Sequence, residues 1–229
     1  MPDPAIDVKA FLSKLKPFTA LPDDDVARLA SSARVKSYRK GDTIYSESER
    51  ADGVWVLRSG RIQIFKFTSQ GESLALESLA TGELFGTLCR LGSGDRSYPC
   101  TAVAAAPTTA IWLPERLFLD CYAKHPGFLS GLCSLCSERL RDMQGLRCLG
   151  QEAVPVRLAA ILCRLHQVHG TVVPFTKKEL AELVGAAVET VFRVISKFEK
   201  NGLLESSHGK IHIKNFKKLQ EAAESSVRL

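Results

Sequence analysis

Glu189 and Arg193 stand four residues apart in the run Val188-Glu189-Thr190-Val191-Phe192-Arg193-Val194-Ile195, so on a helix a carboxylate and a guanidinium share one face, one turn apart. That pair can read base edges in a DNA major groove: the carboxylate accepts from cytosine N4 and the guanidinium donates twice to guanine. Val188 could meet a thymine methyl, while Phe192 could pack on a thymine methyl and a sugar edge or complete the domain's own core. The competing reading of Glu189 and Arg193 is a surface ion pair worth about 0.2–0.5 kcal/mol. Just upstream, Thr176–Val184 reads as a shorter helix that Thr176 caps, with Glu179 reaching back and Gly185 permitting a tight exit. Two short amphipathic helices across a glycine turn form a helix-turn-helix device. The DNA-facing candidates are therefore Val188, Glu189, Thr190, Phe192, Arg193 and Lys197, with Thr176 and Lys177 at the first helix and Lys210 beyond the second.

The spacing predicts the elements that hold this device. Val156–Leu165 forms an amphipathic helix ending near His169-Gly170, Thr171–Phe175 is extended, and Val191, Val194, Ile195 and Phe198 face inward. After Asn201-Gly202, residues 203–213 read as a hairpin turning at His208-Gly209-Lys210, a wing that brings Lys210, Ser206 and Ser207 near phosphates.

The N-terminal half reads differently. Helical spacing over 5–16 and again after Pro22-Asp23-Asp24-Asp25 gives way to short strands at Tyr38–Tyr45, Gly53–Leu57, Gly60–Phe65, Leu74–Leu79, Tyr98–Ala104 and Thr109–Leu113. Such spacing suits a small antiparallel barrel or jelly roll. Gly82–Gly86 and Leu91–Ser97 interrupt it as glycine-rich turns around Thr87-Leu88-Cys89-Arg90, and Arg96 and Ser97 with turn amides could hold an anion. A helix from Glu115 ends at His125-Pro126-Gly127, and a long helix follows from about Phe128 to Gly150. On it Leu129, Cys136 and Met143 recur every seven residues, interleaved with Leu132, Arg139 and Leu146 and flanked by Leu140. That seam suits helix-on-helix dimerisation, the alternative being packing on the barrel of the same chain.

The expected fold class is α+β, with an effector-sensing β-barrel domain over 1–125, a dimerisation helix over 126–151 and a winged helix-turn-helix domain over 152–229. Residues 151–229 hold 12 Lys and Arg against 8 Asp and Glu, an excess that favours a polyanion. No secretory leader or bilayer-length apolar run is read, so the expected place is the cytoplasm, with no membrane partner. Seven cysteines, an odd number scattered through the chain, argue against a disulfide framework. No metal-ligand spacing, nucleophile elbow or Walker loop points to an enzyme.

Gly41-Asp42-Thr43-Ile44 through Gly60-Arg61-Ile62, with Gly82-Glu83-Leu84-Phe85-Gly86 and Arg96-Ser97, then Leu180-Ala181 through Val188–Arg193 and Gly202-Leu203-Leu204, carry a resemblance across essentially the whole chain. It resembles the superfamily of bacterial transcription regulators typified by the cyclic-AMP receptor protein and the fumarate-nitrate reduction regulator. The resemblance implies a cyclic-nucleotide-binding-like sensor, a homodimer, and two winged helix-turn-helix domains on a palindrome with half-sites near TTGA or TGTGA, with RNA polymerase as a further partner. It places Glu189 and Arg193 on base edges. The Val-Glu-Thr opening is similar to the oxygen and nitric-oxide responsive branch, in which serine often stands at the position of Phe192. For the effector it implies Gly86, Thr87, Leu88, Arg96, Ser97, Asp142 and Met143. Thr87 follows Gly86 where cyclic-AMP binders carry a Glu for the ribose hydroxyl, so cyclic AMP is disfavoured. No cysteine precedes Cys89, so the N-terminal iron–sulfur ligands of the oxygen-sensing branch are absent. The cofactor stays open: His125, Met143, Cys89 or Cys100 could ligate haem, and His125, Cys133, Cys136 and Cys148 are metal or thiol candidates. A cyclic-nucleotide-binding or scaffold protein without specific DNA recognition is the competing function.

Overall fold

The structure, a computed structural model, describes residues 7–67, 73–86, 97–207 and 209–224, with backbone alone at 73, 74, 142 and 146–148. The chain divides into two compact units, 1–140 and 141–229.

The first unit opens with α1 (Val8–Leu12), which the Asp7 side chain caps, followed by a single 3-10 turn at Phe18–Ala20. The single helix expected over 5–16 is thus shorter, because the chain turns before Pro17, whose ring cannot continue a helix. α2 (Asp23–Ser31) has three carboxylates in its first turn, where they complement the helix dipole. The strands β1 (Arg34–Tyr38), β8 (Thr108–Pro114), β3 (Gly53–Ser59) and β6 (Leu84–Phe85) lie in that order in one antiparallel sheet. β2 (Thr43–Tyr45), β7 (Thr101–Ala104), β4 (Ile62–Phe67) and β5 (Ser73–Leu79) form another.

Two expectations change here. Tyr38–Tyr45 is two strands in different sheets, because the chain reverses through Gly41 at a φ of 93°. Gly82–Gly86 is more than a turn, since Leu84 and Phe85 pair with Val56 and Trp55. The described strands make two four-stranded sheets rather than one closed hydrogen-bonded barrel. Alternation along the strands gives each sheet two faces. Trp55, Leu57, Phe85 and Ala110 from one sheet meet Tyr45, Ile62, Ile64, Leu79 and Ala102 from the other in a core between the sheets. Val54, Val56, Leu84, Ile111 and Leu113 turn the opposite way and pack against helical residues, among them Phe18, Phe118 and Phe128.

α3 (Glu115–Lys124) leads into α4 (Pro126–Leu149). Phe128 and Leu132 on α4 are buried in the helix-facing core of the same chain, Leu132 to 1% exposure. Arg139, one helical stripe further along, donates from Nη2 to the Leu84 carbonyl at 2.5 Å and pairs through Nε with Glu77 at 3.0 Å. The seam expected through Leu132 and Arg139 is therefore corrected: that stripe belongs to the chain's own sheet domain. Leu129 and Cys136 are half-buried, and Leu140 and Met143 are 57% and 59% exposed. The side chain of Leu146 lies outside the described residues.

The second unit packs α5 (Val154–His169), α6 (Lys177–Val184) and α7 (Val188–Lys200) around one core with a three-stranded antiparallel sheet, β10 (Leu204–Ser207), β11 (Lys210–Ile213) and β9 (Val172–Val173). A helix not foreseen, α8 (Phe216–Glu224), closes that core with Leu219 fully buried.

Candidate nucleic-acid interface

Local sequence sets the angle of α6 and α7. Thr176 Oγ1 accepts from the Glu179 amide at 3.1 Å, and the Glu179 carboxylate accepts from the Thr176 amide at 2.7 Å and its hydroxyl at 2.8 Å. The foreseen capping box is complete, and it occupies the Thr176 hydroxyl. At the other end Gly185 adopts φ 65°, ψ 49°, a left-handed geometry that lets the chain turn directly into α7. The first amides of α7 receive no side-chain cap, because Ala187 stands at that position. Uncapped helix-start amides suit an anion such as phosphate.

α7 has two sharply different faces. Val191, Val194, Ile195 and Phe198 are buried in the core, as their spacing required. Glu189, Phe192, Arg193, Ser196 and Lys197 are exposed on the other side. Among the described residues no ion pair joins Glu189 to Arg193, so both heads remain available for base edges. Phe192 is 45% exposed, outside the core, and Lys177 Nζ lies 4.9 Å from its ring centroid. That cation–π contact holds two DNA-facing candidates together. Val188 differs from its reading, being half-buried against the core. Thr190 is half-buried, and with Arg193, Val194 and Lys197 it lines a cleft of about 450 Å³ whose other wall is Val154 and Pro155 at the start of α5.

The wing is tied to α7. Glu199 accepts from the Ser206 amide at 2.8 Å and from its hydroxyl at 2.5 Å, and these bonds, the hydroxyl's first, hold the Glu199 carboxyl below its ordinary range. Ser206 is thus a structural link rather than a free phosphate donor. Ser207 pairs with Lys210 across the hairpin end, and both are exposed; His208 lies outside the described residues. Glu199 was not foreseen as part of the site. Its only sequence signal is a carboxylate one residue beyond the buried Phe198, on the side toward the wing.

In the first unit the effector candidates divide. Thr87, Leu88 and Arg96 lie outside the described residues, as does the Asp142 side chain. Ser97 is half-buried, with its backbone bridging to Arg50. Gly86 has a φ of 75°, and a Cβ there would lie 3.0 Å from the Tyr98 ring, 3.1 Å from Trp55 and 3.2 Å from Tyr45. Tyr45 and Tyr98 stack with centroids 3.8 Å apart, and Trp55 Nε1 donates to the Tyr98 hydroxyl at 3.0 Å. Burial raises the Tyr45 hydroxyl far above its ordinary pKa, keeping it neutral. Aromatic rings thus crowd the glycine that the resemblance implies for the effector site.

Of the metal and haem candidates, His125 Nε2 lies 2.7 Å from Asp25 Oδ2, Cys133 is exposed, and Cys136 and Cys100 are half-buried. Cys89 and the side chain of Cys148 lie outside the described residues. Among the described residues no three His, Cys, Asp or Glu side chains converge as a metal site. No helix of the described residues is long and apolar enough to cross a membrane.

The model of the cyclic nucleotide-binding domain family matches residues 35–125, and that of the Crp-like helix-turn-helix domain matches residues 156–222. The chain is 28% identical over 208 residues to the cyclic AMP receptor protein of Thermus thermophilus, covering 90% of this chain and 95% of that one. It is 27% identical over 199 residues to the transcriptional activator protein FnrA of Stutzerimonas stutzeri, covering 83% and 78%. Among solved structures, FixK2 from Bradyrhizobium japonicum superposes with a TM-score of 0.75 at 21% identity, over 83% of this chain and 96% of that one. FnrA is named as a transcriptional activator, and none of the three is named as an enzyme. With both halves of its architecture matched in order, the chain belongs to the Crp/Fnr superfamily and is homologous to its DNA-binding transcription regulators.

Proposed function

We propose that this protein is a homodimeric, sequence-specific transcription regulator of the cytoplasm that reads palindromic double-stranded DNA with α7 and is governed by a small effector or a redox or gas signal in its first unit. The observation that carries the reading is the division of α7 into a wholly buried apolar face and an exposed face bearing Glu189, Phe192, Arg193 and Lys197. Glu189 and Arg193 take base edges. Phe192, steadied by Lys177, packs on a thymine methyl, and Lys197, Lys210 and the α7 amides position the duplex through phosphates. The two sheets form the jelly roll of the sensor. Two protomers join along the exposed α4 stripe of Cys133, Leu140 and Met143, flanked by the half-buried Leu129 and Cys136. RNA polymerase is the partner downstream of DNA binding.

The rings crowded against Gly86 and the missing carboxylate at Thr87 argue against cyclic AMP, although one relative is named for it. Haem does not fit His125 as it stands, because Asp25 engages its Nε2, so no chemistry is routed through haem. Selection by the purified protein from a random duplex pool should return an inverted repeat. Arg193→Ala should weaken binding to that repeat roughly 5- to 150-fold per half-site while leaving random DNA little affected. A pool that returns no repeat with the wild type would refute the reading, as expected of a scaffold.

A further inference from the structure

A cleft of about 230 Å³ opens between the two sheets beside β1 and β2, lined in part by Tyr45, Trp55 and Tyr98, the rings that also lie against Gly86. Its construction follows from register. Arg34 pairs with Trp112 and Trp112 with Trp55 across three neighbouring strands, so the three side chains stand in one row on the face turned to the other sheet. Trp112 can lie flat on β3 only because residue 53 is glycine: a Cβ there would sit 1.9 Å from the indole nitrogen. The Arg34 guanidinium rests 5.0 Å from the Trp112 ring centroid, and Lys36 Nζ, two residues along, 5.2 Å from that of Trp55. Arg50 reaches the same cleft from the loop before β3.

Among the described residues none of these three cations has an ion-pair partner. The indoles hold two of them in place without neutralising them. Glu49 and Asp52 also line the cleft, so three positive groups face two negative ones and the space carries one net positive charge. Its volume is below the usual range for drug-sized ligands.

We propose that this cleft binds a small planar monoanion, an aromatic carboxylic acid, as an effector of the sensor domain. The carboxylate is taken by Arg34 and Arg50 in charge-assisted hydrogen bonds, and the ring packs against the indoles. The proposal rests on the reading above only for its consequence on DNA binding; the binding itself does not depend on it.

The chain contains two tryptophans, Trp55 and Trp112, and both line this cleft, so intrinsic tryptophan emission reports on it directly. Titration of the full-length protein with benzoate should change that emission saturably, and Arg34→Ala should raise the half-saturating concentration about tenfold or more. Arg34 is exposed at a sheet edge, so the variant should keep the wild-type circular dichroism. Cyclohexanecarboxylate separates ring stacking from charge and should bind more weakly than benzoate, and inorganic phosphate and cyclic AMP should not saturate the signal. No saturable response to benzoate, an equal response in Arg34→Ala, or saturation by phosphate alone would overturn the proposal. Operator affinity is measured separately with and without benzoate. Loss of operator selectivity together with saturable benzoate binding would sink the regulator reading and leave the cleft assignment standing.

Discussion

Leu132 and Leu140 lie eight residues apart on α4 and both fit an apolar helical stripe, yet they should fail in opposite ways when cut to alanine. Leu132 is 1% exposed within a single chain, packed with Phe128 in the core beneath the first sheet. Its truncation should cost about 2–5 kcal/mol. At roughly 2–4 °C per kcal/mol for a unit of this size, the melting temperature should fall by about 5–15 °C even where the protein is diluted to monomers. Leu140 is 57% exposed. Its truncation should change protomer stability by no more than about 0.5 kcal/mol. If α4 pairs with a second copy, covering that exposed fraction is worth about 1–1.5 kcal/mol per protomer, or about 2–3 kcal/mol per dimer. Leu140→Ala should then raise the dimer dissociation constant roughly 30- to 150-fold. Sedimentation velocity over a dilution series and thermal unfolding at the lowest concentration separate the two effects. An L132A protein that dissociates without melting earlier, or an L140A protein that melts earlier as a monomer, would refute the division of α4 into an inward stripe and an outward one.

Other consequences follow from single side chains. Ser206 holds the Glu199 carboxyl below the 4.5 of an ordinary glutamate, so its contribution is fully present above that value and is lost as pH falls through the lowered one. Hydrogen-exchange protection of the Ser206 amide should therefore fall on acidification below pH 4.5, and Glu199→Ala should abolish the protection at every pH; protection in E199A equal to wild type would show that the wing is anchored otherwise. Burial pushes the Cys163 thiol up to about 11, whereas Cys133 is exposed. Iodoacetamide at neutral pH on protein diluted to monomers, followed by peptide mapping, should mark Cys133 well before Cys163, and the reverse order would contradict the packing of α5. Gly86→Ala forces a Cβ against three rings at a left-handed φ, so it should destabilise the first unit by about 1–3 kcal/mol without altering DNA contacts in the second. Unchanged unfolding of G86A would mean that the rings can move aside.

The second unit was the more legible half, because its signals are local. A capping box, a left-handed glycine and an apolar period of 3–4 residues lie within about 25 residues, and each acts on its own neighbours. Glu199 and α8 escaped because their roles depend on what the chain brings back from elsewhere: Ser206 on the wing, and the α5 face that Leu219 covers. α4 shows the same limit. A seven-residue recurrence marks apolar stripes without saying which one a nearby sheet takes, and Arg139, a charged residue in the expected seam, is the residue that ties the helix to Glu77 and the Leu84 carbonyl. In the first unit, strand existence could be read from turn residues. That Tyr38–Tyr45 divides between two sheets, or that Trp55, Trp112 and Arg34 form a row, depends on register among strands distant in sequence.

Palindrome recognition requires that two copies of α7 read one duplex together. Fluorescence anisotropy at physiological ionic strength, comparing the selected palindrome with a duplex carrying one half-site and with a scrambled duplex, tests it most directly. A two-protomer complex is expected on the palindrome, at least about a thousandfold tighter than on scrambled DNA, with much weaker binding to the single half-site. Equal affinity for all three duplexes, or one protomer bound to the palindrome, would contradict it.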